Sequence, residues 1–180
     1  MERPHWFIAL IPDETIAEEV RTYKQYAARH FRAQRALRSP AHITLIPPFF
    51  CPLRFLGRMR KTLSDFVAAQ KPFDLQLSGF DCFAPRVIFI DVADAPLLME
   101  LQRALARCWE QEMDWDPGDR RDFHPHMTIA FKDLTRSRFP EAWAYFREQE
   151  YARTFCVEGI WLLRHKDKQW QPFQFFSFGQ

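Results

Sequence analysis

His42-Ile43-Thr44-Leu45 and His126-Met127-Thr128-Ile129 repeat one pattern: a histidine and a threonine two residues apart, followed by apolar side chains. On a β-strand, residues two apart point to the same face and the residue between them points to the other. Each copy would therefore set an imidazole beside a hydroxyl and turn Ile43 or Met127 to the opposite side. The neighbours Ile43, Leu45 and Ile46 in the first copy, and Ile129, Ala130 and Phe131 in the second, make short apolar runs that read as buried strands. Buried strands hold side chains rigidly, as catalysis requires. Alone, each motif is weak, because a histidine on an apolar strand is more often a packed core residue. Two copies at matching places in a longer internal repeat carry more weight.

Working outward, the flanking segments also recur. Trp6 to Ile11 is a continuous apolar run stopped by Pro12, which reads as a buried first strand. Asp13 offers an N-cap, and Ile16, Ala17, Val20, Tyr23 and Ala27 recur at helical steps, predicting an amphipathic helix from Glu14 to about Phe31. A basic connection, Arg32 to Arg38, leads to the first motif strand. Pro47-Pro48 is expected to end that strand, since proline cannot donate to a sheet ladder. Leu53 to Ala69 has helical spacing, and Phe73 to Leu77 alternates like a half-buried strand. The second half follows the same order: a strand from Val87 to Val92, a helix from Ala95 to Met113, a polar loop from Asp114 to Asp122 with Pro117-Gly118, and the motif strand. A shorter helix around Glu141 to Glu148 and a strand from Thr154 to Leu163 complete it.

Phe7 to Val87 is 80 residues, His42 to His126 is 84, and Phe73 to Phe155 is 82, which supports duplication. Trp170 to Phe178 alternates like an extra strand that returns after a turn at Lys166-Asp167-Lys168 and pairs with Ile160 to Leu163. The expected fold is one α+β domain over residues 1–180, bilobal, with a pseudo-twofold repeat of roughly 6–85 and 86–165 plus a C-terminal strand at 169–178. Two mainly antiparallel sheets would face each other across a central cleft with helices on the outer faces, each sheet giving one motif strand.

Composition bounds the function. The chain's 180 residues suffice for a sizeable core, and 47% apolar residues with nineteen Phe argue for a well-packed globular protein. A formal charge of +2 is too small for a general nucleic-acid coat, so an anionic partner must be met by a local cluster of Arg and Lys. No apolar run approaches the roughly 18 residues needed to cross a bilayer, and the start lacks a signal-peptide pattern. A cytoplasmic monomer without a membrane partner is expected. Cys51, Cys82, Cys108 and Cys156 form no C-x-x-C pair, which points away from a zinc site or redox dithiol and toward reduced core thiols.

Two imidazoles across a cleft suit general acid-base catalysis, because a pKa of about 6.5 lets one accept a proton while the other donates. Threonine hydroxyls beside them can hydrogen-bond phosphoryl oxygens. In-line displacement at phosphorus needs an acid and a base on opposite sides, which pseudo-twofold motifs supply. Zinc on His124 and His126 is a competing reading, but zinc sites normally take three or four protein ligands, and neither motif has a Cys, Asp or Glu at a matching position. A serine or cysteine hydrolase is disfavoured by the lack of a G-x-S-x-G elbow.

The paired H-x-T motifs, the lead-in Phe123-His124-Pro125-His126 and the duplicated element order resemble the two-histidine (2H) phosphoesterase superfamily over nearly the whole chain. The branch they look most like is the 2′-5′ RNA ligase-like one. What the resemblance implies is a hydrolase: a cofactor-free, metal-independent phosphodiesterase acting on 2′,3′-cyclic phosphate ends of RNA or small nucleotides, with 2′-5′ RNA ligation as the reverse reaction. His42 and His126 would then be the acid-base pair, and Thr44 and Thr128 would orient the phosphate. Many relatives carry an Arg a few residues past the second Thr, where this chain has Ala130-Phe131-Lys132. Their first motif often continues toward Phe-Leu-Gly rather than Pro47-Pro48-Phe49, and both departures bear on substrate choice. Phe49, Phe50 and Phe83 are candidates to stack a nucleobase, and Arg86 and Lys132 to neighbour a phosphate. The alternative, from a different class, is a non-catalytic nucleotide or RNA-end binding module using the same cleft.

Overall fold

In the computed structural model, which describes residues 4–114 and 122–179, β1 (His5–Leu10), α1 (Glu14–Phe31), β2 (Ile43–Phe50), α2 (Leu56–Ala68) and β3 (Phe73–Phe83) come first. They are followed by β4 (Val87–Val92), α3 (Pro96–Met113), β5 (His126–Ala130), α4 (Phe139–Phe146), β6 (Ala152–Val157), β7 (Gly159–Lys166) and β8 (Gln169–Ser177). Pro117-Gly118 of the expected polar loop lie outside the described residues. The Asp13 side chain caps α1 as expected, accepting from the Ile16 N–H at 3.0 Å and so satisfying a donor that has no partner within the helix. Ile16, Val20, Ala27 and Phe31 give α1 its buried stripe, and Arg32 ends it in the left-handed region at φ 56°. The tail also forms as expected: Asp167 and Lys168 have φ of 52° and 62°, as a two-residue hairpin turn requires. It sets Ile160 opposite Phe176 and Leu162 opposite Gln174.

The α+β class holds, but the two expected sheets are halves of one antiparallel sheet in the order β6-β3-β4-β5-β2-β1-β7-β8. The halves meet where β2 pairs with β5, at Ile43 opposite Met127. Helices α1, α2, α3 and α4 pack with the main core on one face of this sheet. Helix α1 packs on β5 and α4, whereas α3 packs on β2 and α2, and α2 also reaches β8. Strand alternation sorts the residues accordingly: Trp6, Ile8, Ile43, Leu45, Ile88, Ile90, Met127 and Ile129 join the helices in the main core. Phe7, Ala9 and Leu163 lie on the other face in a small cluster of their own, which leaves that face open for a site.

Two local expectations also change. Strand β2 runs on through Pro47 and Pro48, with Phe49 opposite Trp6 and Phe50 opposite His5. The pairing with β1 shifts register between Ile8 and Trp6, and the pairing with β5 is confined to Ile43, so the prolines sit in a bulge along an open edge. There the missing N–H groups break no ladder. The run from Thr154 to Leu163 is two strands: β6 pairs with β3, while β7 pairs with β1 and β8 in the other half. Beside β1, β7 takes the place that β3 takes beside β4. The spacing match of Phe73 with Phe155 thus links hydrogen-bonded neighbours, since Phe155 faces Leu75. Of the four thiols, Cys51 is buried, Cys82 and Cys108 are half-buried and Cys156 is exposed. Among the described residues, no helix is long and apolar enough to cross a membrane.

Gly159 begins β7, and a Cβ there would collide with the Phe176 carbonyl and the Phe175 ring. Gly159→Ala is therefore expected to destabilise the protein by about 1–3 kcal/mol, as overpacking does, read as a lower urea midpoint at unchanged slope. Wild-type stability of this variant would show that the β7–β8 contact at Phe175 and Phe176 tolerates a side chain.

Candidate active site

The helix-free face opens into a cleft of about 460 Å³ lined by His42, Thr44 and Thr128. With Ile43 opposite Met127 in an antiparallel pair, His42 stands across from Thr128 and Thr44 across from His126. Directly opposed Cβ atoms on one face lie about 4.5–5.5 Å apart and diagonal ones about 7–8 Å. The four side chains thus mark a parallelogram with the histidines at opposite corners. His126 itself is not among the residues that line the cleft.

Both rings are anchored in the same way. The His42 Nδ1 lies 2.8 Å from the Pro40 carbonyl oxygen, and the His126 Nδ1 lies 2.7 Å from the His124 carbonyl oxygen. A carbonyl can only accept, so Nδ1 carries the hydrogen in each and the neutral ring keeps its free lone pair on Nε2. Phenylalanines from the adjoining strands support the rings: Phe7 is 4.9 Å from His42, and Phe89 is 5.0 Å from His126.

Their surroundings differ. Burial, the Lys24 ammonium and the His126 ring push the His42 pKa down to about 4, opposed by its bond to Pro40. Burial also lowers the pKa of His126, but the bond to the His124 carbonyl and the Asp91 carboxylate work in the other direction. Burial disfavours the charged imidazolium in both cases. In the free protein both rings are therefore neutral at pH 7, instead of straddling the ordinary value.

The cleft rim is cationic. Arg35 and Arg38 come from a 3₁₀ turn (Arg35–Arg38), and Lys132 and Lys168 from loops. Asp133, directly after Lys132, fastens the turn: its Oδ2 accepts from the Gln34 and Arg35 N–H groups at 2.7 and 2.9 Å. One wall is aromatic, with Trp170 4.7 Å from Phe7 and 4.9 Å from His165.

Of the substrate-binding candidates, Lys132 lines the cleft. Phe83 reaches the site's edge, 5.2 Å from both His124 and His126. Phe50 is exposed and stacks on His5 at 3.7 Å, outside the cleft lining. Phe49 is a core residue against Trp109, 5.3 Å away, because the bulge turns it to the helix side. Arg86 is exposed in the β3–β4 turn and does not line the cleft. His124 Nε2 faces Asp91 Oδ1 at 3.6 Å, and among the described residues no group of three or more His, Cys, Asp or Glu gathers around it. Sequence reading missed His5, His165, Trp170, Arg35, Arg38 and Lys168 as cleft residues. The basic run Arg32 to Arg38 was a visible signal for two of them. The rest are brought in by pairing of β1 with β7 and of β7 with β8.

Two H-x-T strands meet beside a cationic cleft, and comparison with known proteins gives the family. The chain belongs to the 2′-5′ RNA ligase superfamily, whose family model matches residues 12–169, in keeping with the resemblance carried by the motifs. It is similar in fold to E. coli LigT complexed with 3′-AMP, at 18% identity over 99% of this chain and 100% of that one, with a TM-score of 0.70. TT0787 of Thermus thermophilus shares 20% identity over 98% of this chain and 99% of its own, with a TM-score of 0.67. LigT complexed with NADP+ gives 18%, 99%, 100% and 0.64 for the same measures. No curated protein matches.

By NMR, the His42 ring should titrate near pH 4 and the His126 ring below 6.5. A midpoint at or above the ordinary histidine value for either ring would contradict its burial.

Proposed function

We propose that this protein is a metal-independent phosphodiesterase that opens 2′,3′-cyclic phosphates at RNA ends or on nucleotides, with His42 and His126 as its general acid-base pair. The observation that carries the proposal is the parallelogram at the β2–β5 junction, with an Nε2 free on each ring and a Thr hydroxyl across from it. In the reaction, one neutral Nε2 takes a proton from water as the water oxygen bonds to phosphorus. The other, protonated, gives its proton to the departing ribose oxygen as the P–O bond breaks. Thr44 and Thr128 donate to the non-bridging oxygens, and the rim cations balance the phosphate charge. LigT has been crystallised with 3′-AMP and with NADP+, and the cations and aromatic wall of this cleft suit nucleotides of that kind. With a 5′-hydroxyl in place of water as the attacking group and the 3′ oxygen departing, the same acid-base step would form a 2′-5′ phosphodiester.

The competent state holds one proton on the histidine pair. As pH falls through about 4 the second proton binds, and as pH rises through the lowered value of His126 the last one leaves. A plot of kcat/KM against pH should therefore be a bell with its maximum below 6.5, the ordinary histidine value. A bound phosphodiester anion favours imidazolium, so the kcat profile should lie at higher pH. A kcat/KM maximum above pH 8 would rule out this protonation scheme.

His42→Ala and His126→Ala should each lower turnover by about 10²- to 10⁴-fold, and the double variant should be little worse than the worse single one, as for groups acting in one step. Thr44→Ala and Thr128→Ala should cost roughly 1.5–3 kcal/mol of transition-state stabilisation each, the worth of a hydrogen bond to a charged group. The assay is hydrolysis of nucleoside 2′,3′-cyclic monophosphates and of a cyclic-phosphate-ended oligonucleotide in EDTA, with circular dichroism to confirm folding. Near-wild-type turnover by either folded histidine variant sinks the mechanism. Binding without product points to the non-catalytic module, and activity abolished by EDTA to a metal.

A further inference from the structure

Among the described residues Lys24 is the charged side chain that is buried, 3% exposed, and it lies on α1. Its ammonium donates to the Ser39 carbonyl at 3.1 Å and the Pro40 carbonyl at 3.2 Å. The same Pro40 oxygen accepts the His42 Nδ1–H at 2.8 Å. A single carbonyl thus bridges a buried cation and an active-site imidazole. Burying an ammonium is costly unless it is paired, and none of the ion pairs among the described residues gives Lys24 a carboxylate. Among the described residues no such buried cation stands at the second motif: beside His126 is the Asp91 carboxylate, opposite it on β4. The fold therefore carries a cost at the first histidine that it does not carry at the second.

We propose that Lys24 is a positioning residue of the site: through the Pro40 carbonyl it holds the His42 ring with Nε2 bare, and its charge makes His42 the proton acceptor of the pair. The ring-holding half stands on the geometry alone, while the acceptor role rests on the acid-base reading above. Glu14, Glu18 and Arg21 of α1 surround the shallow groove behind Lys24. On the cleft side, His126 lies diagonally across the β2–β5 junction from His42, and His5, His165 and the rim cations Arg35, Arg38, Lys132 and Lys168 line the cavity with His42. The cations add to the effect of Lys24. Burial lowers the pKa of Lys24 to about 8, so it stays charged throughout the range in which His42 takes up a proton. A cation of this kind disfavours imidazolium through space whatever the fate of the hydrogen bonds.

The test is histidine-ring NMR on the full chain, wild type against Lys24→Met, with circular dichroism on both. The wild type should show His42 as the Nδ1–H tautomer. In Lys24→Met the His42 midpoint should rise by about one pH unit while His126 moves less, the response expected from removing a nearby like charge. On a cyclic-phosphate substrate, the acid limb of kcat/KM should move upward by the same amount, about tenfold less activity at a pH on that limb. A merely structural lysine would lower activity at every pH and leave both midpoints in place. An unchanged His42 midpoint in the folded variant, or an Nε2–H tautomer in the wild type, overturns the proposal. Should Lys24→Met fail to fold, Lys24→Gln, which keeps a donor toward Pro40 without the charge, is read against the same two outcomes. If the wild type turns over no cyclic phosphate, the phosphodiesterase reading fails while the ring titration still decides the role of Lys24.

Discussion

The structure turns on one strand contact, β2 against β5 at Ile43 and Met127. This contact joins the two four-stranded halves of the sheet and sets the register of both H-x-T motifs. Because side chains alternate, a slip of one residue would send the histidines and threonines into the helix-covered core and turn Ile43 and Met127 into the cleft. What opposes the slip is burial: Ile43, Leu45, Met127 and Ile129 are each at most 1% exposed. Burying each such side chain is worth about 1.5–3 kcal/mol. The residues that hold the sheet together and those on the cleft face are thus alternate members of the same two strands.

Within that symmetric frame the two histidines are tied alike, each by Nδ1 to the carbonyl two residues before it. The symmetry stops at the next shell of charge. A buried ammonium stands behind His42, whereas a carboxylate and the half-exposed His124 stand near His126. Identical strands cannot by themselves make one ring easier to protonate than the other, so the difference has another source. Here it comes from the helix side in one half and from a neighbouring strand in the other.

The same economy appears at the rim. A net charge of +2 over 180 residues makes no strong overall field, yet Arg35, Arg38, Lys132 and Lys168 gather at one cleft. Asp133 organises part of this by binding backbone N–H groups of the turn that carries Arg35 and Arg38, tying the first half of the chain to the loop that follows the second motif. Its Oδ2 is engaged with these amides, while the side chains of Arg35 and Arg38 line the cleft.

Local pattern by itself determined much of this protein. Helical spacing and an Asp N-cap marked α1 from Glu14 to Phe31, alternation marked β8, and the two H-x-T motifs were legible as strands with polar residues on one face. Each is a property of consecutive residues, carried by side-chain period and capping chemistry. Tertiary structure decided the rest: that the halves form one sheet, that Pro47-Pro48 is a bulge instead of an end, and that Thr154 to Leu163 divides at Glu158 between opposite halves. It also decided that Phe49 belongs to the core while Trp170 belongs to the cleft, and that Lys24 reaches Pro40. The physical reason is the same in each case. A strand's own pattern says which way its side chains point, but its hydrogen-bonding partners, and whatever charge is folded against its back, come from residues far along the chain.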